Sequence, residues 1–370
     1  MAITRLGPNQ DITAAKIAGQ INFKNLIING DMSIAQRGTQ AVGGSTGLHY
    51  GGCDRLRVYQ ETTASAYTLS QDTNVPTAQG FANSFKLDVT TADASLTAGD
   101  RVDLIYRFEG QELQQIKKGT SSAESLTLSF WVSSPKTGTH ICEMYDADNA
   151  RQISKSYTVS SANTWEKKTI TFEGDTSGAL NNDNNLSLQI SWWLMAGSDY
   201  SSGTLSTSWT SNTGNKANRA VGQVNVMDST SNNFYLTGVQ LEVGTSASDF
   251  EFLPYSVNLE RCYRYYQRFT GGSLDLAFIG ACSHYTTGNA YGALHFYPKR
   301  SAPTLGYSNL SGLTYFSNGA NASPTLIQIN QANTLCAEVR IDQSSVQSAG
   351  GNGWLRIVGT SEYVDLSSEL

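Results

Sequence analysis

Apolar and polar residues alternate with period two along much of this 370-residue chain. In SFKLDVT, Phe85, Leu87 and Val89 share one face while Lys86 and Asp88 take the other, as a half-buried strand requires. RVDLIYRFEG repeats the pattern with Val102, Leu104, Tyr106 and Phe108, and LTLSFWV with Leu126, Leu128, Phe130 and Val132. HICEMYDAD, SYTV, TWEKKTITFEG, LSLQISWWLMAG and NFYLTGVQLEVG extend the series up to residue 245. No segment between them can serve as a crossover helix, and parallel strands need one. The expected class is therefore all-β, with antiparallel strands arranged as two face-to-face sheets in a jelly-roll sandwich.

The helix expected within this part is the short, glycine-flanked GQELQQIKKG. In SVNLERCYRYYQRF, Leu259, Cys262, Tyr263 and Tyr266 fall at helical spacing, yet Arg261, Tyr263, Tyr265, Gln267 and Phe269 also alternate, so periodicity leaves helix and strand both open. We take it as the junction. SLDLAFIGAC, AYGALHFYP, TLIQIN, TLCAEVRID and GWLRIVG follow as shorter strands and predict a smaller C-terminal β-sandwich. The first two dozen residues are polar and read as an extended tether. The expected domains are an N-terminal segment over 1–24, a sandwich over 25–255 and a C-terminal β-domain over 256–370.

Composition narrows the function. Charged residues are 15% of the chain, with Lys+Arg 25 against Asp+Glu 31 and a net charge of −6. Nucleic-acid binding needs a dense basic face, so that partner is not expected, nor is insertion into a membrane, since no run of about 18 apolar residues occurs. A basic-then-apolar leader is also missing, which argues against secretion by the usual route. Cys53, Cys142, Cys262, Cys282 and Cys336 are scattered without a paired spacing and read as free thiols in cores. His49, His140, His284 and His295 stand singly, so no zinc site is expected.

Motifs for catalysis fail on context. GGSTG at 43–47 matches G-x-S-x-G as a string but lacks the strand before and helix after that a nucleophile elbow needs. DADN at 146–149 starts like a calcium loop and continues with Ala150 and Arg151 where a ligand and the turn glycine belong. Glu109, Glu143, Glu173 and Glu242 are available for glycoside hydrolysis, and no spacing singles out a pair. No catalytic residue, metal or cofactor is expected. Aromatics are more informative: Trp131 and Trp193, with Gln189, fall opposite the apolar rows of their strands. If those strands were neighbours, they would form an indole platform with an amide beside it, suited to stacking sugar rings.

NLIINGDMSIAQRGT, CDRLRVY, SFKLDVTTA, RFEGQELQQIKKGT, LTLSFWVSSPKTGTH, TWEKKTITFEGDTSG, LSLQISWWLMAGS and FYLTGVQLEVGTSASDFEFLPY, taken in order, resemble the jelly-roll region of bacteriophage tail-fibre and receptor-binding proteins, itself similar to carbohydrate-binding modules. The resemblance covers about two thirds of the chain, from Asn25 to Tyr266. It implies a non-enzymatic virion protein, made in the host cytoplasm, that binds host cell-surface polysaccharide during adsorption. It also implies a homotrimer, joined to tail or baseplate proteins through residues 1–24, with the C-terminal domain at the tip. NLIINGDM would then be the first strand, pairing beside FYLTGVQLEVG. Related modules hold a structural calcium at that corner; here Asp31 and Glu242 are the nearby acids, too few for a site. Leu56 stands where the pattern often has Trp. The competing readings are a capsid or neck decoration fibre without a receptor role, a polysaccharide depolymerase and a secreted bacterial sugar-binding protein.

Overall fold

The structure, a computed structural model, describes residues 23–271, 276–317, 320–343, 349–359 and 361–370. Residues 1–22 of the expected attachment segment lie outside these. The first domain contains β1 (Gln40–Gly43), β2 (Gly47–Tyr50), β3 (Arg57–Glu61), β4 (Ala66–Asp72), β5 (Ser84–Thr91), β6 (Arg101–Glu109), β7 (Leu126–Ser133), β8 (Gly138–Asp146), β9 (Arg151–Val159), β10 (Glu166–Phe172), β11 (Leu186–Ala196), β12 (Thr210–Ser211) and β13 (Asn233–Val243). They form a six-stranded sheet, β1-β4-β5-β13-β7-β10, and a seven-stranded sheet, β12-β9-β8-β11-β6-β3-β2. Their pairings are antiparallel.

Period-two patterning sets which side chains meet between the sheets. Leu128, Phe130 and Val132 of β7 and Phe85 and Leu87 of β5 face Leu104 and Phe108 of β6 and Ile190 and Trp192 of β11 in one core. Phe130 meets Trp192 edge-on at 5.8 Å between ring centroids. His140 is buried there too, stacked on Tyr157 and bonded through Nε2 to the Lys136 carbonyl; burial pushes its pKa down to about 4, so the ring is neutral. Four cysteines are buried as expected, while Cys336 is half-exposed.

Two local expectations need correction. GQELQQIKKG forms two single 3₁₀ turns, Gly110–Glu112 and Gln114–Ile116, not an α-helix. Lys117 takes the left-handed conformation (φ 52°) and stops it, and so short a segment cannot offset the nucleation cost of a helix. Its buried Leu113 and Ile116 anchor the turns instead.

NLIINGDM is likewise no strand but a turn, although it does lie beside β13. Asn25 substitutes its side chain for backbone: Oδ1 accepts from the Leu241 amide (3.0 Å), and Nδ2 donates to the Val239 carbonyl (3.0 Å). The ladder cannot continue because β13 bulges between Thr237 and Gln240, with Gly238 at φ 61°. Into that bulge fits Gly30, whose carbonyl accepts from the Val239 amide (2.8 Å) and whose Cα leaves no room for a Cβ against the Val239 carbonyl. Asn29 adopts φ 62°, which Asn tolerates, and ties the turn to Ile34 and Asp54 through its carboxamide.

The ambiguous junction is helix and strand in succession. α-Helix Tyr255–Tyr263 is followed by β14 (Tyr266–Thr270), so both periodicities were real. Asn258 on the helix donates to Asp31 Oδ1 (3.0 Å) and Ser33 Oγ (3.1 Å), joining the helix to the turn. Beyond come β15 (Leu276–His284), β16 (Asn289–His295), β17 (Thr304–Tyr307), β18 (Leu313–Ser317), β19 (Ala320–Ala322), β20 (Pro324–Ala332), β21 (Cys336–Gln343), β22 (Asn352–Val358) and β23 (Tyr363–Ser367). A three-stranded sheet, β14-β23-β17, covers one face of a seven-stranded sheet, β19-β18-β22-β15-β16-β21-β20, around a separate core that includes Leu294, Ile341, Ile357, Val364 and Leu366.

The two cores meet through charge. Arg55, from the first sandwich, lies with its guanidinium 3.3 Å from the Tyr265 ring centroid and 5.1 Å from that of Tyr106. It donates to Glu369 Oε2 (2.9 Å), and Arg37 donates to Glu369 Oε1 (3.2 Å). Arg264 holds the buried Glu109 with two bonds, 2.7 and 2.6 Å. Arg300 binds the Ser368 and Glu369 carbonyls from one side and the Asn184 carbonyl from the other. Burial alone would raise the Glu369 pKa, but Arg37, Arg55 and Arg57 outweigh it and hold the carboxyl below its usual range.

Two outcomes follow from these contacts. Gly30→Ala forces its methyl against the Val239 carbonyl and is expected to destabilise the first sandwich by about 2–4 kcal/mol in urea titration; a wild-type midpoint would show that the turn does not depend on that close approach. Because the folded carboxyl of Glu369 has a depressed pKa, its stabilisation is present above the unfolded value of about 4.3 and is lost as pH falls through the folded one. Glu369→Gln should therefore cost roughly 3–5 kcal/mol at pH 7, and the gap to wild type should narrow steadily in melts recorded towards pH 3.

Candidate functional site

The three residues singled out from the sequence do not come together. Trp131 lies on β7 in the six-stranded sheet, whereas Gln189 and Trp193 lie on β11 in the seven-stranded sheet on the other side of the core. The strands are not neighbours, so the indole platform does not form. Trp131 is half-buried and sits opposite Lys167 and Thr237, close to Gly238 and near Phe81. Gln189 is buried, its Oε1 accepting from Arg107 Nε (2.8 Å) and its Nε2 donating to Ser191 Oγ (3.0 Å).

Trp193 does face outward from the sandwich, as its phase requires, yet it is fully buried. The segment after β11 folds back and packs Ala196, Tyr200 and Ala220 against it and Ile141. Its Nε1 donates to Glu143 Oε2 (3.1 Å), Arg219 binds the same carboxylate with two bonds of 2.7 and 2.8 Å, and the Arg101 guanidinium lies 4.7 Å from the ring centroid. Glu143 is thereby a structural anion. The other acids named in the sequence reading are similarly occupied: Glu109 by Arg264, Glu173 by Lys155, Glu242 by Gln240 and Ser248. Asp31 serves Asn258 and Ser33.

A different surface has the required character. In GWLRIV, Leu355 and Ile357 point into the C-terminal core, which turns Trp354 and Arg356 outward on β22. Phe316 of β18 stands directly opposite Trp354, and the rings stack at 5.4 Å with 10° between planes. Arg356 lies 4.1 Å from the Phe316 centroid and steadies the pair. On the other side of Trp354 the outward positions become small: Ala281 opposite it on β15, then Ala293 on β16. One register further along, Asn352, Ser283 and Tyr291 face each other in turn.

Small residues between aromatic walls make a trough. It has a volume of about 590 Å³, with Phe316 and Trp354 on one flank, Tyr291 on the other, and Ala281, Ser283 and Ala293 on the floor. Trp354 is 42% exposed. The Asn352 carboxamide accepts from Ser283 Oγ (3.0 Å), and its amino group has no partner among the described residues. A second basin of about 500 Å³ lies past Tyr291 and is lined by Tyr285, Asn330 and Glu338, with Ser283 and Tyr291 shared between the two. Under the floor, the buried His284 Nε2 is 3.1 Å from both Ser317 Oγ and Tyr315 OH, and burial lowers its pKa. That ring braces the strand and is not presented to solvent.

Exposed ring faces beside amide and hydroxyl groups in an open concavity can stack apolar sugar faces and hydrogen-bond hydroxyls. The signal for Trp354 was present in the sequence as a Trp in the polar phase of a short alternating strand. The same rule singled out Trp193, which a later loop then covers.

No protein-family model matches this chain, and no curated protein matches it. Similar solved structures include the enzymatically active domain of tailspike protein 4 of bacteriophage CBA120, with 12% identity over 60% of this chain and TM-score 0.29. The match spans 22% of that tailspike chain. A CBM4 module has 11% identity over 58% of this chain and 97% of its own, with TM-score 0.30. The family 11 carbohydrate-binding module of the cellulosomal cellulase Lic26A-Cel5E of Clostridium thermocellum has 12% identity over 56% of this chain and 99% of its own, with TM-score 0.28.

Trp193→Ala should destabilise the protein by about 3–5 kcal/mol, since it opens a cavity and strips a donor from buried Glu143. Trp131→Ala should cost roughly 1–2 kcal/mol, in line with its half-exposed ring. Chemical denaturation of both variants checks the ranking, and equal losses would contradict the burial difference.

Proposed function

We propose that this chain is a phage virion protein, a tail fibre whose C-terminal domain binds glycan on the host cell surface during adsorption. The observation that carries the reading is the trough on β18, β22, β15 and β16, where the Trp354–Phe316 stack and Tyr291 flank a floor of small residues beside Asn352 and Ser283. The sequence resemblance of residues 25–266 to tail-fibre jelly rolls supplies the virion setting. On this reading the protein is not an enzyme, assembles as a homotrimer and joins tail or baseplate proteins through residues 1–24. A shallow open site suits such an assembly, because several copies on one particle raise the effective concentration and each contact can be weak.

The trough replaces Trp131, Gln189 and Trp193 as the place where sugar is bound. Trp354→Ala and Tyr291→Ala in the full chain should each lower binding to cells and to their extracted surface polysaccharide by about tenfold or more, equivalent to about 1.4 kcal/mol, while Trp131→Ala leaves binding unchanged. Unaltered binding by Trp354→Ala would move the site elsewhere. If the wild-type chain binds no polysaccharide, the decoration-fibre reading replaces this one, and release of reducing ends on incubation would identify a depolymerase.

A further inference from the structure

We infer that the ligand is an internal stretch of a polysaccharide, held at two adjoining subsites separated by Tyr291, and not a single terminal sugar; this rests on the glycan reading above. Each basin is complete on its own terms. The first offers Trp354 with Asn352 and Ser283, and the second offers Tyr285, 75% exposed, with Asn330 and Glu338. In both, an exposed aromatic ring is paired with a fixed polar couple: Ser283 Oγ to Asn352 Oδ1 at 3.0 Å, and Asn330 Nδ2 to Glu338 Oε1 at 2.5 Å.

The basins are continuous. They share Ser283 and Tyr291, and the Tyr291 ring meets Tyr285 edge-on at 5.8 Å. Tyr291 is therefore a low partition with a ring on each side of it. Strand spacing gives the length: from Phe316 on β18 to Glu338 on β21 the face crosses four inter-strand gaps, about 19 Å at roughly 4.8 Å each. That span exceeds one pyranose ring several-fold. A single sugar would fill one basin and leave the other aromatic in water, whereas a chain laid across the strands uses both.

The experiment is calorimetric titration of the full-length protein with fragments, from single sugars to hexamers, made by partial acid hydrolysis of the surface polysaccharide to which it binds. Affinity should rise by about tenfold or more from single sugars to hexamers. Tyr285→Ala, at a side chain too exposed to affect folding, should abolish that gain, so that hexamers bind the variant no more tightly than single sugars do. Hexamers binding no better than single sugars, or Tyr285→Ala without effect on hexamers, would overturn the two-subsite inference and leave the glycan reading standing. Absence of binding by the intact polysaccharide would overturn both.

Discussion

The arrangement of the two domains depends on a pair of buried opposite charges. Arg55 cannot be left alone in the end of the first sandwich, flanked by Tyr106 and with its side chain 3% exposed, because an unpaired buried cation is far more costly than a missing apolar contact. Its partner, Glu369, is four residues beyond the middle of β23, so the cation meets its counter-charge only when the second domain is folded and docked. Tyr265 supplies the other aromatic face, and Arg264 performs the reciprocal task for Glu109. Charge fixes the register between the domains, and the apolar cluster of Ile28, Ile34, Cys262 and Tyr265 fills the space that this register leaves.

Alternation in the sequence identified faces reliably wherever a strand has one apolar side. Phe85, Leu87 and Val89, or Leu126 to Val132, are in the core where period two places them. It failed at NLIINGDM because apolar content there reflects burial of a turn, and the backbone partners are supplied by the Asn25 side chain and by a bulge in β13 that no local pattern announces. The residues Asn-Gly-Asp were informative in another sense: a left-handed Asn, a glycine pressed on a carbonyl and an acid reaching Asn258 are each required by a specific contact.

The candidate site was only half visible for a related reason. Phase along a strand tells which way Trp193 and Trp354 point, and both point away from their cores. Exposure depends on what the rest of the chain lays over that face, and the segment carrying Tyr200 and Arg219 covers one while nothing among the described residues covers the other. Strand adjacency was equally hidden: Trp131 and Trp193 share a pattern but belong to opposite sheets, since sandwich connections send successive strands to different layers.

The floor of the trough has an evolutionary consequence. Ala281, Ser283 and Ala293 contribute almost no side-chain volume, and strand pairing beneath them is made by backbone. The flanking positions 285, 291, 316 and 354 can therefore be exchanged among ring sizes and polarities without disturbing the core or the ladder. The side chains that shape the trough and those that hold the fold are separate sets, so single substitutions at these four positions would reshape the trough and leave the scaffold intact.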